Sequence, residues 1–193
     1  MIVDLVPQLA RALEARGRRT LVPEGKTRAA VLVPLLAVGG AVHVLYTRRA
    51  ASLPHHQGQV SFPGGTHDPS RDESPVATAL READEEIGLR PGDVRVLGRL
   101  DDIETMTSRF MITPVVGLVP HPYPWTPCPR EVDHIFTVPL ASLLAPDAQH
   151  TETWDFDGQQ VPIDHFAVQG QVIWGATHRI TRNLLDIIVE GLA

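Results

Sequence analysis

The chain has 193 residues, of which 43% are hydrophobic and 21% are charged, and its formal net charge is −6. These values are typical of one globular domain, and the scattered positive charge argues against a protein that binds nucleic acid. No apolar run reaches about 18 residues, so neither a membrane-spanning helix nor a membrane partner is predicted. The single cysteine, Cys128, is expected to be an ordinary loop thiol in a cytoplasmic protein.

The first predicted element is a surface helix, because apolar residues recur at helical spacing: Val3, Leu5, Leu9 and Leu13. A link that contains Pro and Lys follows at residues 21–27. We therefore divide the chain into an N-terminal helix and link, residues 1–28, and a main domain, residues 29–193.

The main domain combines strand-like and helix-like segments. Strands are predicted at residues 29–38, 41–47, 59–62, 94–100, 112–120 and 133–138. A short helix is predicted at 140–144, a hairpin at 151–156 and 161–168 around Asp157-Gly158, and a last helix at 173–192. The apolar face of the last helix consists of Ile180, Leu184, Leu185, Ile188 and Leu192. This order predicts an α/β fold in which helices cover a mixed sheet.

The most informative segment is an acidic helix that follows Gly64-Gly65, a pair expected to permit a tight turn. Ser74 is the predicted N-cap, Pro75 takes the first helical position, and Gly88 is the predicted stop. The helix should therefore extend to about residue 87.

Three carboxylates of this helix, Glu82, Glu85 and Glu86, lie three or four residues apart and should project from one side. Packing them together costs repulsion that a divalent cation relieves, and Mg²⁺ and Mn²⁺ prefer such oxygen ligands. A cation held there can orient a water molecule, lower its pKa and neutralise phosphate charge. Helical spacing alone leaves a second interpretation open, a solvated acidic helix face.

The same segment matches the second part of the Nudix box: Glu73, seven residues, then Arg81-Glu82-Ala83-Asp84-Glu85-Glu86-Ile87-Gly88-Leu89. The chain therefore resembles the Nudix hydrolases. This resemblance implies a single-domain α/β/α sandwich with a mixed sheet and, here, extra N-terminal and C-terminal helices. His67 stands where the box normally has its leading Gly, and the glycine pair lies upstream, so the loop is two residues longer.

Further motifs resemble the coenzyme A pyrophosphatase branch of that family. They lie at residues 45–50, 58–65, 100–102, 113–117, 131–132, 138–140 and 173–177, so the similarity extends over roughly residues 30–190. Two positions depart from the branch. Pro54 stands where an Arg is usual, and Arg109, within Thr107-Ser108-Arg109-Phe110, stands where a Gly is usual.

The resemblance also implies roles for individual residues. Glu82, Glu85 and Glu86 are expected to bind Mg²⁺ or Mn²⁺, with a backbone carbonyl near Gly65 and with Glu73 as a further ligand or its partner. Arg81 is expected to orient carboxylates in catalysis. The candidates for the general base are Glu82, Glu85, Asp101, Asp102, Glu104 and Glu131.

For the substrate, Arg48, Arg49 and His56 are candidates to bind phosphates, and Arg109 is a candidate to alter recognition. Tyr123, Trp125 and Phe110 are candidates to stack on an adenine ring, whereas Trp154 and Trp174 are assigned to packing.

The implied reaction is hydrolysis of the diphosphate of coenzyme A or its derivatives, which gives 3′,5′-ADP and a 4′-phosphopantetheine product. Two alternatives stay open: a Nudix hydrolase of another nucleoside diphosphate derivative (ADP-ribose, a dinucleotide or a nucleoside triphosphate), and a non-catalytic Nudix module that binds nucleotides. A homodimer and a monomer are both compatible with the sequence.

Overall fold

A computed structural model describes residues 2–105, 109–156 and 158–192 of the chain. Its helices and strands are, in chain order, α1 Ile2–Ala15, β1 Thr27–Val38, β2 Ala41–Arg49, β3 Val60–Ser61, β4 Gly64–Thr66, α2 Pro75–Ile87, β5 Arg95–Arg99, β6 Ile103–Glu104, β7 Phe110–Val119, β8 Val132–Pro139, α3 Leu140–Leu143, β9 Gln149–Phe156, β10 Gln159–Val168, β11 Gln171–Trp174 and α4 Gly175–Leu192. Parts of four predicted features lie outside the described residues: Thr107-Ser108 beside Arg109, Asp157 of the hairpin turn, and the side chains of Val3 and Leu192.

Strand β1 is at the centre of the larger sheet. It runs parallel to β7 on one side and antiparallel to β2 and β4 on the other. The remaining strands of this sheet join by antiparallel pairing, β3 and β8 to β2, and β5 and β6 to β7. The sheet is therefore mixed, as the sequence predicts.

Both faces of β1 are buried, which explains its nearly continuous run of Val, Leu and Ala. Ala30, Leu32 and Leu36 pack with residues of α2 on one face. Val33 and Leu35 pack with residues of α1 and α4 on the other. Because helices cover both faces of the sheet, the predicted α/β/α sandwich is confirmed.

A second sheet of three antiparallel strands, β9, β10 and β11, packs beside α4. The predicted hairpin of residues 151–156 and 161–168 is confirmed as β9 and β10. The prediction of one helix over residues 173–192 is wrong at its start. Ile173 and Trp174 pair with β10 in strand β11, and the helix begins only at Gly175.

The segment that follows α1 is held by two adjacent aspartates. Asp101 forms an ion pair with Arg16 and accepts a hydrogen bond from the backbone N–H of Arg19. Asp102, which is buried, pairs with Arg18 at 2.6 Å and accepts hydrogen bonds from the Thr113 hydroxyl and the backbone of Leu21. These two candidates for the general base therefore tie the N-terminal helix and its link to the body of the fold.

None of the helices in the described part of the chain combines the length and the apolar content that a bilayer crossing requires. The longest of them, α4, buries Ile180, Leu184, Leu185 and Ile188 in the core that it shares with α1.

Candidate active site

Helix α2 has the ends that the sequence predicts, and these ends fix its carboxylates in place. The Ser74 side chain accepts a hydrogen bond from the backbone N–H of Ala77, and Gly88 ends the helix in the left-handed conformation at φ 70°. Glu86 is buried at 4% exposure. Glu82 is partly buried, whereas Glu85 is exposed.

The backbone of β4 lies directly against the two more buried carboxylates. A Cβ atom on Gly65 would lie 2.6 Å from the carboxylate carbon of Glu82, and one on Gly64 would lie 2.6 Å from the Cα of Val31. Only glycine therefore fits at positions 64 and 65, because β4 lies so close to Val31 and to the Glu82 side chain. The prediction of a tight turn at this pair is wrong, because both residues pair with β1.

Glu86 lies in a strongly unfavourable place for a negative charge. Burial, and then the charge of Glu131, raises its pKa to about 8, while the charge of Arg49 and the Gly64 N–H, 3.3 Å from Oε2, act in the opposite direction. Burial also raises the pKa of Glu82, Arg81 acts in the opposite direction, and the charges of Glu85 and Glu131 raise it by smaller amounts. The site thus carries more negative charge than its surroundings neutralise.

Arg81 organises the carboxylates from the rear through a bidentate ion pair with Asp72. Its Nε and Nη2 lie 2.8 and 2.9 Å from the two oxygens of Asp72, which is 6% exposed. Its Nη1 lies 2.7 Å from Glu82 and 3.0 Å from Glu85. This hydrogen bonding holds the pKa of Asp72 well below its usual range. Arg81 therefore orients carboxylates through bonds on both sides of its guanidinium group.

His67, at the position of the box glycine, supports the same network. Its Nδ1 is 2.8 Å from the hydroxyl of Thr78, and that hydroxyl is 3.0 Å from Asp72. The residue that anchors the longer loop to α2 is therefore Asp72, which the sequence analysis did not single out. Glu73, by contrast, is exposed, and its side chain has no hydrogen bond or ion pair with a described residue. Without the fold, the nine-residue spacing from Asp72 to Arg81 does not indicate that these two side chains form an ion pair.

The donor atoms fit a hard divalent cation. Glu82, Glu86 and the neighbouring β4 carbonyls offer only oxygen, the atom that Mg²⁺ and Mn²⁺ prefer, and a cation would neutralise the buried Glu86 carboxylate. The Glu85 carboxylate instead forms ion pairs with Arg71 and Arg81, at N–O distances of 2.7 and 3.0 Å. Across the described residues no group of three His, Cys, Asp or Glu side chains converges as metal ligands do. The assignment of Glu82, Glu85, Glu86, Gly65 and Glu73 to the metal stays a prediction.

The four basic candidates for substrate binding occupy different places. The charge of Arg49 acts on Glu86, and its Nε is buried without a hydrogen-bond partner. Arg48 is the neighbouring residue; the pairing of β2 with β8 is irregular between the two arginines, and both are partly buried. His56 lies in an exposed loop, 3.0 Å from the Gln59 side chain. Arg109 is exposed at φ 54°, a conformation that suits the glycine usual there, and its carbonyl accepts a hydrogen bond from Thr27 N.

The aromatic candidates for stacking lie mostly in packed positions. Tyr123 and Trp125 are in contact, with ring centroids 4.7 Å apart, and pack beside the core cluster of α2. The Tyr123 hydroxyl donates to Asp93 at 2.8 Å. Trp154 and Trp174 pack edge to face at 5.2 Å in the smaller sheet, which agrees with their assignment to packing.

Comparisons with known proteins agree with this geometry. Residues 26–168 match the family model described as the NUDIX domain. The chain is 39% identical over 161 residues to a protein of Photorhabdus laumondii named "Uncharacterized Nudix hydrolase NudL", covering 83% of this chain and 84% of that one. A protein of Yersinia pestis with the same name is 40% identical over 157 residues, covering 81% and 77%.

Two solved structures have similar folds. The Nudix hydrolase RenU of M. smegmatis is 25% identical, with a TM-score of 0.52, and the match covers 62% of this chain and 74% of that one. The MutT/nudix family protein of Enterococcus faecalis is 14% identical, with a TM-score of 0.57 and coverage of 97% and 70%. The second likeness concerns the fold alone.

We predict that Glu86→Gln stabilises the metal-free protein at alkaline pH. Folded Glu86 keeps its proton up to a pKa of about 8, whereas the unfolded chain loses it near 4.5, the usual pKa of a glutamate, so its contribution to stability falls as pH rises between these values. In EDTA at pH 8.5, the variant should exceed wild type by on the order of 3 kcal/mol in urea unfolding, with little difference at pH 4.5. The control is Asp84→Asn on the exposed side of α2. Equal wild-type and Glu86→Gln stabilities at both pH values would contradict the prediction.

We also predict that Asp72→Asn weakens binding of Mn²⁺ about 10- to 100-fold, because Arg81 then loses the charged partner that sets its orientation toward Glu82 and Glu85. Isothermal titration with MnCl₂ measures the dissociation constant. Asp68→Asn is the matched control in the same loop, since Asp68 does not bond to Arg81. A Kd for Asp72→Asn within about twofold of wild type would show that the network does not position the carboxylates.

Proposed function

This chain belongs to the Nudix hydrolase family and is a pyrophosphohydrolase, and from that premise we propose that it cleaves the diphosphate of coenzyme A or its derivatives. The products of that reaction are 3′,5′-ADP and a 4′-phosphopantetheine compound. The proposal concerns the substrate, and it is supported by how motifs that are distant in sequence meet in the fold.

Several segments that resemble the coenzyme A branch contact one another in the fold. The backbone of Arg49, in segment 45–50, bonds to Gln59 and Gly58, in segment 58–65, at 3.0 and 3.1 Å. The Thr177 hydroxyl, in segment 173–177, donates to the Val60 carbonyl at 3.0 Å. These contacts between segments of one branch signature are the observation that carries the proposal.

Arg49 is the residue best placed to bind a phosphate of the substrate. Its guanidinium group lies close enough to Glu86 for its charge to act on that carboxylate, and its buried Nε has no partner. A diphosphate oxygen would satisfy this donor, and a guanidinium group matches phosphate geometry. The substrate diphosphate would then lie between Arg49 and the carboxylates.

We infer that Mg²⁺ or Mn²⁺ is the cofactor, with Glu82, Glu86 and a β4 carbonyl near Gly65 as the residues that would hold it. When bound, the cation would neutralise phosphate charge and activate a water molecule. Arg81 holds Glu82 in a fixed orientation through its pairing with Asp72. Little covalent chemistry is left for the protein, so positioning and electrostatics dominate catalysis.

A substrate panel tests the proposal. The purified protein is incubated with Mg²⁺ or Mn²⁺ and with coenzyme A, ADP-ribose, NADH or nucleoside triphosphates, and the products are identified by mass spectrometry. We expect coenzyme A to yield 3′,5′-ADP with the highest kcat/KM. Turnover of ADP-ribose alone would remove the coenzyme A proposal, and binding without any turnover would favour the non-catalytic module.

We predict that Arg49→Ala lowers kcat/KM for the best substrate about 100-fold, because the lost phosphate contact is charge-assisted and buried. Arg48→Ala, at the neighbouring position, removes the same charge and should change kcat/KM less than about threefold. Steady-state kinetics of the two variants measure both values. Equal losses would indicate a general effect of charge rather than a phosphate contact at Arg49.

A further inference from the structure

The connection between β7 and β8 crosses the C-terminal end of α2. Thr126 N donates to the Ile87 carbonyl at 3.1 Å, and Cys128 N donates to the Glu86 carbonyl at 2.8 Å. Two helix carbonyls that lack partners within the helix are thereby satisfied. The connection is consequently fixed to the helix that carries the carboxylates.

The same connection places Glu131 between α2 and the end of β2. Glu131 N donates to the Cys128 carbonyl at 3.0 Å, and the Glu131 carbonyl accepts from Ala50 N at 2.9 Å. Because bonds on both sides fix its backbone, Glu131 has a defined position next to Arg49 and Glu86.

The side chain of Glu131 differs from those of the other loop acids. It is exposed, and it forms no hydrogen bond or ion pair with a residue that the structure describes. Asp101 and Asp102 are engaged with Arg16 and Arg18, and Glu104 pairs with Lys26. Among these loop acids, Glu131 is also the one whose charge raises the pKa of both Glu82 and Glu86.

The helix carboxylates are already engaged. Glu86 is buried and bonded to Gly64 N, Glu82 pairs with Arg81 against Gly65, and Glu85 pairs with Arg71 and Arg81. A general base must reach a water molecule beside the substrate and later release its proton to solvent. An exposed carboxylate without a partner meets both conditions.

We propose that Glu131 is the general base of the reaction, an inference that rests on the proposed hydrolysis of a diphosphate by water. The water oxygen forms a bond to one phosphorus while the bond from that phosphorus to the bridging oxygen breaks. The proton of the attacking water passes to the Glu131 carboxylate, and the bridging oxygen leaves with the electron pair on the second phosphate. Glu131 then returns the proton to solvent.

The test compares Glu131→Gln with Asp133→Asn, a neighbouring exposed acid that pairs with His134 and lies outside the site. Glu131→Gln should lower kcat about 10²- to 10⁴-fold, with KM changed less than about threefold. Its Kd for Mn²⁺, from isothermal titration, should change less than about threefold, because an exposed charge has only a small effect through solvent, and its Tm should stay at the wild-type value. Glu131→Asp should restore part of kcat, and Asp133→Asn should behave as wild type.

Three results would overturn the assignment: kcat of Glu131→Gln within about threefold of wild type, a loss of kcat that follows a matching loss of Mn²⁺ affinity, or an equal loss in Asp133→Asn. The second result would make Glu131 a metal ligand instead of a base. The kinetics use whichever diphosphate the wild-type enzyme hydrolyses fastest. A failure of the coenzyme A proposal therefore appears in the wild-type panel, and a failure of the Glu131 proposal appears in the variant.

Discussion

The fold of this chain is arranged around one electrostatic constraint, the confinement of carboxylates where water cannot screen them. Glu86 is almost fully buried, Glu82 packs against the Gly65 backbone, and the charge of the exposed Glu131 acts on both. Such an arrangement opposes folding on its own, because each charge raises the free energy of the others. Capping of α2, the central position of β1 and the pairing of β4 together hold this arrangement in place.

Local signals in the sequence were sufficient to predict most of the fold. Alternation and apolar runs located β1, β2, β7 and β8, and the sequence Ser74-Pro75 with Gly88 located both ends of α2. The missed elements, β4, β6 and β11, are two to four residues long, too short for any period to emerge. Ile173 was assigned to a helix because its apolar side chain fits either pattern.

Some residues of the site can be predicted from local sequence patterns, whereas others depend on contacts between distant parts of the chain. The carboxylates of α2 follow one repeat within one helix, so spacing and resemblance could identify them. The role of Asp72 depends on a salt bridge across a loop, and the difference between Arg48 and Arg49 depends on which charge acts on Glu86. The selection of Glu131 from four loop acids required the bonds between the β7–β8 connection and α2.

The ion pair between Asp72 and Arg81 has a consequence for how such sites diversify. The loop from β4 returns to α2 at a fixed anchor, so its length can change as long as an acid still reaches the arginine. Insertions between Thr66 and Asp72 would enlarge the rim of the site without moving the carboxylates, since exposed loops tolerate added residues at small entropic cost. The number of residues between the glycine and the glutamate can therefore vary between related proteins. The contact between the acid and the arginine is what must be kept.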